Sequence, residues 1–184
     1  METAVKRRIS VYDLVMVGLF AALIAVCAWI TVPGTIPFTL QTMGVFLAVG
    51  LLGGKRGTAA VLVYILLGAV GMPVFSGFSG GIGRLMGTTG GYIIGFLVSA
   101  LAMWGMEALF GDRKWVLPAS MVLGLVLCYL FGTLWYLALY TGKTGPITFW
   151  AVMLKCVVPF IVPDLAKIGI ALLLSVKLKR FIRK

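Results

Sequence analysis

Residues 13–30 read DLVMVGLFAALIAVCAWI, eighteen positions in which the opening aspartate is the sole charged residue and no amide side chain occurs. At 1.5 Å per residue, a helix of that length rises about 27 Å, close to the ~30 Å of a bilayer's hydrocarbon core. The run is apolar all round, with no polar stripe to face water, so it reads as a membrane span and not as the amphipathic helix of a soluble domain.

Working outward, polar breaks recur at about the same period. Residues 38–52 form a second candidate, stopping at Gly53-Gly54-Lys55-Arg56-Gly57, and residues 58–72 a third, ending at Pro73. Residues 76–91 are too polar and too dense in glycine for a lipid-facing helix. Residues 92–110 and 116–140 form the fourth and fifth candidates, closed by Gly111-Asp112-Arg113-Lys114 and by Thr141-Gly142-Lys143-Thr144-Gly145-Pro146. The last apolar run, residues 147–176, would reach ~45 Å as one helix, well beyond the hydrocarbon core. Pro159 and Pro163 divide it into an interfacial segment at residues 147–158, carrying Trp150 and Lys155, and a spanning helix. That helix is expected to begin near Pro163, since the first helical position tolerates a missing N–H. The expectation is an all-α integral membrane bundle of six transmembrane helices, forming one membrane domain over residues 1–184.

Composition agrees. Of 184 residues, 61% are hydrophobic and 11% charged, against about 45–50% and 25% in a soluble domain. A soluble enzyme, a disordered chain and a disulfide scaffold are thereby disfavoured. There is no histidine, and the acids are Glu2, Asp13, Glu107, Asp112 and Asp164, so histidine metal sites and catalytic triads are excluded and no catalytic or metal-binding residue is expected. Cys27, Cys128 and Cys156 lie singly in apolar runs and read as small buried residues.

Lys and Arg set the orientation. Lys6, Arg7 and Arg8 precede the first span, Lys55 and Arg56 join the second and third, Arg113 and Lys114 join the fourth and fifth, and Lys177, Lys179, Arg180, Arg183 and Lys184 follow the last. These are twelve of the sixteen basic residues, whereas the alternate connections hold only Arg84 and Lys143. Both termini are therefore expected in the cytoplasm and the glycine-rich loop outside. The net charge of +11 reads as this signal plus contact with anionic membrane lipid, not as nucleic-acid binding. No secretory signal peptide is read at the start.

Gly50-Leu51-Leu52-Gly53-Gly54-Lys55-Arg56 has one spacer too few for a phosphate loop and Arg56 where Ser or Thr is needed. Residues 76–91 supply no dinucleotide-binding glycine pattern either. The chain is therefore not expected to be an enzyme, and any active transport must draw on a partner or an ion gradient.

Asp164 and Lys167 give the strongest local signal. Ionisable groups in a membrane helix are costly and point to function by default, and i, i+3 spacing puts these two on one face. They read either as a structural ion pair or as a polar-ligand site near the outer end of the bundle. The glycine-rich loop faces the same side and brings Phe78, Arg84 and Tyr92, with backbone groups that a ligand can approach closely; alternatively it is a plain loop with a stray arginine. Gln41 adds an amide at the outer end, for a ligand or another helix. In the first span, Gly18 with Ala22 and Ala21 with Ala25 are small residues four apart, suited to close helix approach within the bundle or against another protein.

Three motifs, Pro37-Phe38-Thr39-Leu40-Gln41-Thr42, the glycine-rich Gly80-Gly81 with Gly87-Thr88-Thr89-Gly90-Gly91-Tyr92, and Pro163-Asp164-Leu165-Ala166-Lys167, resemble the BioY family. These are the biotin-specific substrate-binding S components of energy-coupling factor (ECF) transporters. The likeness covers essentially the whole chain, with Thr88 where the family usually has proline. It implies a six-helix S component in a bacterial cell membrane that captures biotin from outside and docks on a membrane coupling subunit. Two cytoplasmic ATPases then drive its toppling, and no cofactor besides the ligand biotin is implied. Carried over by motif, Asp164 and Lys167 bind polar groups of biotin, and Gln41, Ser79, Gly80 and Tyr92 line the pocket. Gly18 and Ala22 match the docking motif, glycine replacing its first alanine. From its chemistry, the biotin carboxylate is expected to meet a nearby cation or a loop N–H, and Arg84 is the best candidate. An S component for another small vitamin or heterocycle is the alternative expectation.

Overall fold

A computed structural model describes residues 10–33, 37–144 and 148–182. Glu2, Lys6, Arg7, Arg8, Pro146, Ile147, Arg183 and Lys184 lie outside them. The chain is mostly helical. In order come α1 (Val11–Trp29), a two-stranded antiparallel hairpin of β1 (Thr31–Val32) and β2 (Phe38–Thr39), α2 (Gln41–Leu52), α3 (Gly54–Ala69), α4 (Ile82–Leu85), α5 (Gly90–Phe110), α6 (Val116–Thr144), α7 (Phe149–Cys156) and α8 (Val158–Ile182).

Among the described residues, α1, α5, α6 and α8 are long and apolar enough to cross a membrane. The other two segments expected to span are shorter: α2 has 12 residues and α3 has 16, or about 18 and 24 Å of rise. Phe38 and Thr39 are withdrawn from α2 because they pair with Val32 and Thr31. In compensation, α2 is the buried centre of the bundle, with Met43 its only residue not buried, and it packs on α1, α3, α5 and α8.

Helix α6 runs on to Thr144, past the expected end at residue 140, and two further helix starts differ from the expectation by four residues or more, for physical reasons. Helix α3 starts at Gly54 and not at Thr58, so Lys55 and Arg56 are helical. Gly53 at φ 81° turns the chain in one residue, and the Glu107 carboxylate of α5 accepts from the Gly54 N–H, placing a negative charge on the helix's positive end. Helix α8 starts at Val158 and not near Pro163, which lies inside it. Pro159 takes the early position where a missing N–H is tolerated, so Asp164 and Lys167 sit roughly two turns into the helix and not in its first turn. The expected interfacial segment is α7, with Val152 and Cys156 buried and Trp150 exposed.

Helices α5 and α6 form the most extensive pair, through small residues at helical spacing. A Cβ on Gly91 would come within 2.3 Å of Trp135, on Gly124 within 2.4 Å of Ser99 Oγ, and on Gly132 within 2.2 Å of the Tyr92 ring. Gly95 faces Cys128 at 3.1 Å. The backbones thus approach closely on both sides of residues 125–131.

At the end of the bundle carrying Lys55, Arg56, Arg113 and Lys179, Arg56 pairs with Asp13 at 2.8 Å and Lys179 with Asp112 at 2.5 Å. The opposite end holds the hairpin, residues 71–90 and the start of α8.

Candidate functional site

A cavity opens at that opposite end, where α2, α5 and α8 all begin. It encloses about 640 Å³ of atom-free space, open mouth included. Its wall comes from every surrounding element: Thr39 from β2, Gln41 and Thr42 from the start of α2, Ser76 and Thr89 from the glycine-rich segment, Tyr92, Ile93 and Phe96 from α5, Leu125, Cys128 and Tyr129 from α6, Cys156 from α7, and Phe160, Asp164 and Lys167 from α8. A mostly apolar wall with a few converging polar groups is the usual make-up of a small-molecule site.

Its polar centre is Asp164, 3% exposed, and Lys167, 5% exposed. Lys167 Nζ donates to Asp164 Oδ1 at 2.6 Å and to the Thr39 carbonyl at 2.6 Å. It also lies 4.0 Å from the centroid of the Phe38 ring, which stacks on Phe160. Tyr129 Oη donates to Asp164 Oδ2 at 2.5 Å. An isolated charge here would be prohibitive, and the pair is tolerated because each member is neutralised and hydrogen-bonded. Gln41 Nε2 donates to Tyr64 Oη at 2.8 Å, which orients the amide from the fully buried Tyr64. Tyr92 Oη lies 3.4 Å from Thr133 Oγ1.

Of the residues singled out in the sequence, Gln41, Tyr92, Asp164 and Lys167 meet in this cavity. Phe78, Ser79, Gly80 and Arg84 are not in its wall. Phe78, at φ 53°, is exposed and stacks on Trp29 with centroids 5.1 Å apart, while Trp29 Nε1 donates to the Pro73 carbonyl at 2.8 Å. Ser79 Oγ donates to the Ser76 carbonyl at 2.8 Å. Gly80 packs so closely that a Cβ would come within 2.2 Å of the Met72 carbonyl oxygen. Together with the Gly81 N–H, which donates to the Gly68 carbonyl of α3 at 2.7 Å, these contacts pin the segment to α1 and α3. Arg84 is half-buried at the end of α4. Gly18 and Ala22 share an exposed face of α1, whereas Ala21 and Ala25 are buried.

Sequence reasoning missed Tyr129, Tyr64, Thr133 and the Thr39 carbonyl. Thr39 lies in a quoted motif, but as a side chain; the tyrosines are single aromatics in apolar runs, with no local pattern to set them apart.

Comparison with known proteins gives a consistent result. The model of the BioY family matches residues 1–184. The chain is 42% identical over 172 residues to the biotin transporter BioY of Thermotoga maritima, covering 91% of this chain and 96% of that one. It is 41% identical over 165 residues to a probable biotin transporter BioY of Pyrococcus horikoshii, covering 89% and 94%. Among solved structures, it resembles the S-component for biotin from an ECF-type ABC transporter with a TM-score of 0.78 and 25% identity, covering 91% of this chain and 90% of that one. With a cavity centred on the Asp164–Lys167 pair and relatives matched over nearly their full length, this chain belongs to the BioY family.

Proposed function

We propose that this chain is the high-affinity biotin-capture subunit of an ECF-type, ATP-driven vitamin uptake transporter. The observation that carries the reading is the hydrogen-bonding capacity left at the Asp164–Lys167 pair. A carboxylate offers about four lone-pair sites and an ammonium three donors. Lys167 spends two donors, on Asp164 and Thr39, and each Asp164 oxygen accepts one bond. That leaves one donor and an acceptor site on each carboxylate oxygen. A cyclic ureido group matches this along one edge, its carbonyl facing the spare donor and the adjoining N–H a carboxylate oxygen, while its second N–H points away on the far side of the carbonyl. Tyr92, Phe96 and Phe160 offer the apolar surface that biotin's thioether bicycle requires.

In this reading six helices cross a bacterial cell membrane as one unit, α2 and α3 completing the four longer spans, with both termini cytoplasmic and the cavity facing outward. Gln41 and Tyr92 line the site, and Phe78, Ser79 and Gly80 shape the segment over its mouth. Arg84 is within that segment and meets the carboxylate tail as the ligand settles. The Gly18–Ala22 face docks on the membrane coupling subunit, and two partner ATPases supply the energy.

Equilibrium binding of labelled biotin to the purified chain in detergent tests this directly. Tight binding is expected, with biotin raising thermal stability above any other vitamin in a panel, and Asp164→Asn weakening affinity by about tenfold or more through the loss of a charge-assisted bond. Stabilisation by a different vitamin, with none by biotin, would sink the assignment.

A further inference from the structure

Two donors from different helices grip the Asp164 carboxylate, one on each oxygen: Lys167 on Oδ1 from the same helix, one turn on, and Tyr129 on Oδ2 from α6, 35 positions away in sequence. The geometry points to Tyr129 as the positioning residue of the cavity, fixing the plane of the Asp164 carboxylate so that it keeps an acceptor site, beside the spare Lys167 donor, for a ligand N–H that adjoins a carbonyl. Its ligand rests on the biotin reading given above; the hydrogen bond and its effect on Asp164 do not.

A carboxylate turns about a broad, two-fold terminal torsion, so one donor does not define its plane. Lys167 brings a point charge on a flexible stem, without the fixed fork that would orient a carboxylate. Left with that partner alone, the carboxylate is free to turn both oxygens onto the ammonium, using the acceptor site that the ligand requires. A phenol differs: its ring has few rotatable bonds, and its O–H lies in a direction set by the helix that carries it. That helix is itself fixed beside Tyr129, with Gly124 against Ser99 and Gly132 against the Tyr92 ring, and Cys128 Sγ donating to the Tyr92 carbonyl at 3.6 Å. The hydroxyls of Tyr64 and Tyr92 are directed elsewhere, to Gln41 and Thr133.

Tyr129→Phe removes one oxygen and keeps the ring, so packing is preserved. Biotin affinity is expected to fall about tenfold, the scale of one bond to a charged group. Two further readouts separate positioning from packing. In ligand-free protein carrying carboxyl-¹³C aspartate from cell-free synthesis, the antisymmetric carboxylate stretch assigned to Asp164, by its disappearance in Asp164→Glu, should shift in Tyr129→Phe. In an Asp164→Asn background, where no carboxylate remains to be positioned, Tyr129→Phe should cost biotin less than twofold more, a non-additivity that marks a shared interaction. An unmoved band in a folded Tyr129→Phe protein, or the same tenfold loss in both backgrounds, would overturn the proposal. A shifted band in a protein that binds no biotin would uphold the role of Tyr129 and remove the biotin reading.

Discussion

Lys167 Nζ lies 2.6 Å from the carbonyl oxygen of Thr39, joining α8 to the β1–β2 hairpin across 128 positions of sequence. The same ammonium holds Asp164 and sits over Phe38 of that hairpin. One side chain therefore connects the ligand cavity to the strand at its edge. Lys167→Met should weaken biotin binding more than about tenfold and also loosen the hairpin, because strand β2 loses a charge-assisted bond and a cation–π contact. Hydrogen exchange would report the second effect: the amide of Leu40, bonded to the Ile30 carbonyl at 3.2 Å, should exchange faster. Unchanged affinity in a folded Lys167→Met protein would remove Lys167 from the site.

Arg84 provides a test of ligand orientation. It is half-buried, with Nε inside the protein and without a hydrogen-bond partner among the described residues, and it belongs to the segment near the mouth, not to the cavity wall. If the guanidinium meets the carboxylate tail, Arg84→Ala should reduce affinity for biotin by more than it reduces affinity for a biotin amide, which lacks that charge. Parallel titrations of the two ligands decide it. Equal losses would assign Arg84 to holding α4 in place.

What the sequence makes legible follows from which signals are local. The long spans and the Asp164–Lys167 pair are visible because apolar length and an intramembrane charge are properties of one segment. The starts of α3 and α8 are not, since the first depends on Glu107 reaching over from α5 and the second on which of two prolines takes the helix's early turns. Tyr129 and the Thr39 carbonyl enter the site through contacts 35 and 128 positions long, and neither has a local signature. The glycines of α5 and α6 were legible in principle. Gly91, Gly95 and Ser99, like Gly124, Cys128 and Gly132, are small residues four apart, the same pattern that marks Gly18 and Ala22 on α1.

That interlock predicts a site-specific defect. Gly132 leaves no room for a Cβ against the Tyr92 ring, and Tyr92 lines the cavity. Gly132→Leu should lower ligand-free stability by about 1–3 kcal/mol through overpacking and displace Tyr92, reducing biotin affinity as well. Gly105→Leu is the control: it lies on the same helix as Gly91, where an added Cβ would meet no other group of the described residues within 4 Å, and should leave both quantities near wild type. Thermal unfolding followed by biotin titration would compare the two, and equal behaviour would refute the interlock.

The final prediction separates ligand capture from transport by means of two adjacent alanines. Ala22 shares an exposed face of α1 with Gly18, where an added Cβ at Gly18 would meet nothing within 4 Å among the described residues; Ala21 is 2% exposed, in the core. Small residues one turn apart on an outward face let a second helix approach closely, and a bulky one prevents it. Gly18→Trp and Ala22→Trp should therefore fold and bind biotin with nearly unchanged affinity, since the cavity lies toward the other end of the bundle. Their co-purification with the membrane coupling subunit, and ATP-dependent biotin uptake, should fall sharply. Ala21→Trp, in contrast, forces an indole into the core and should lose stability and binding together. Should Gly18→Trp and Ala22→Trp still co-purify and transport at wild-type levels, that face of α1 meets only lipid, and docking must be sought on another helix.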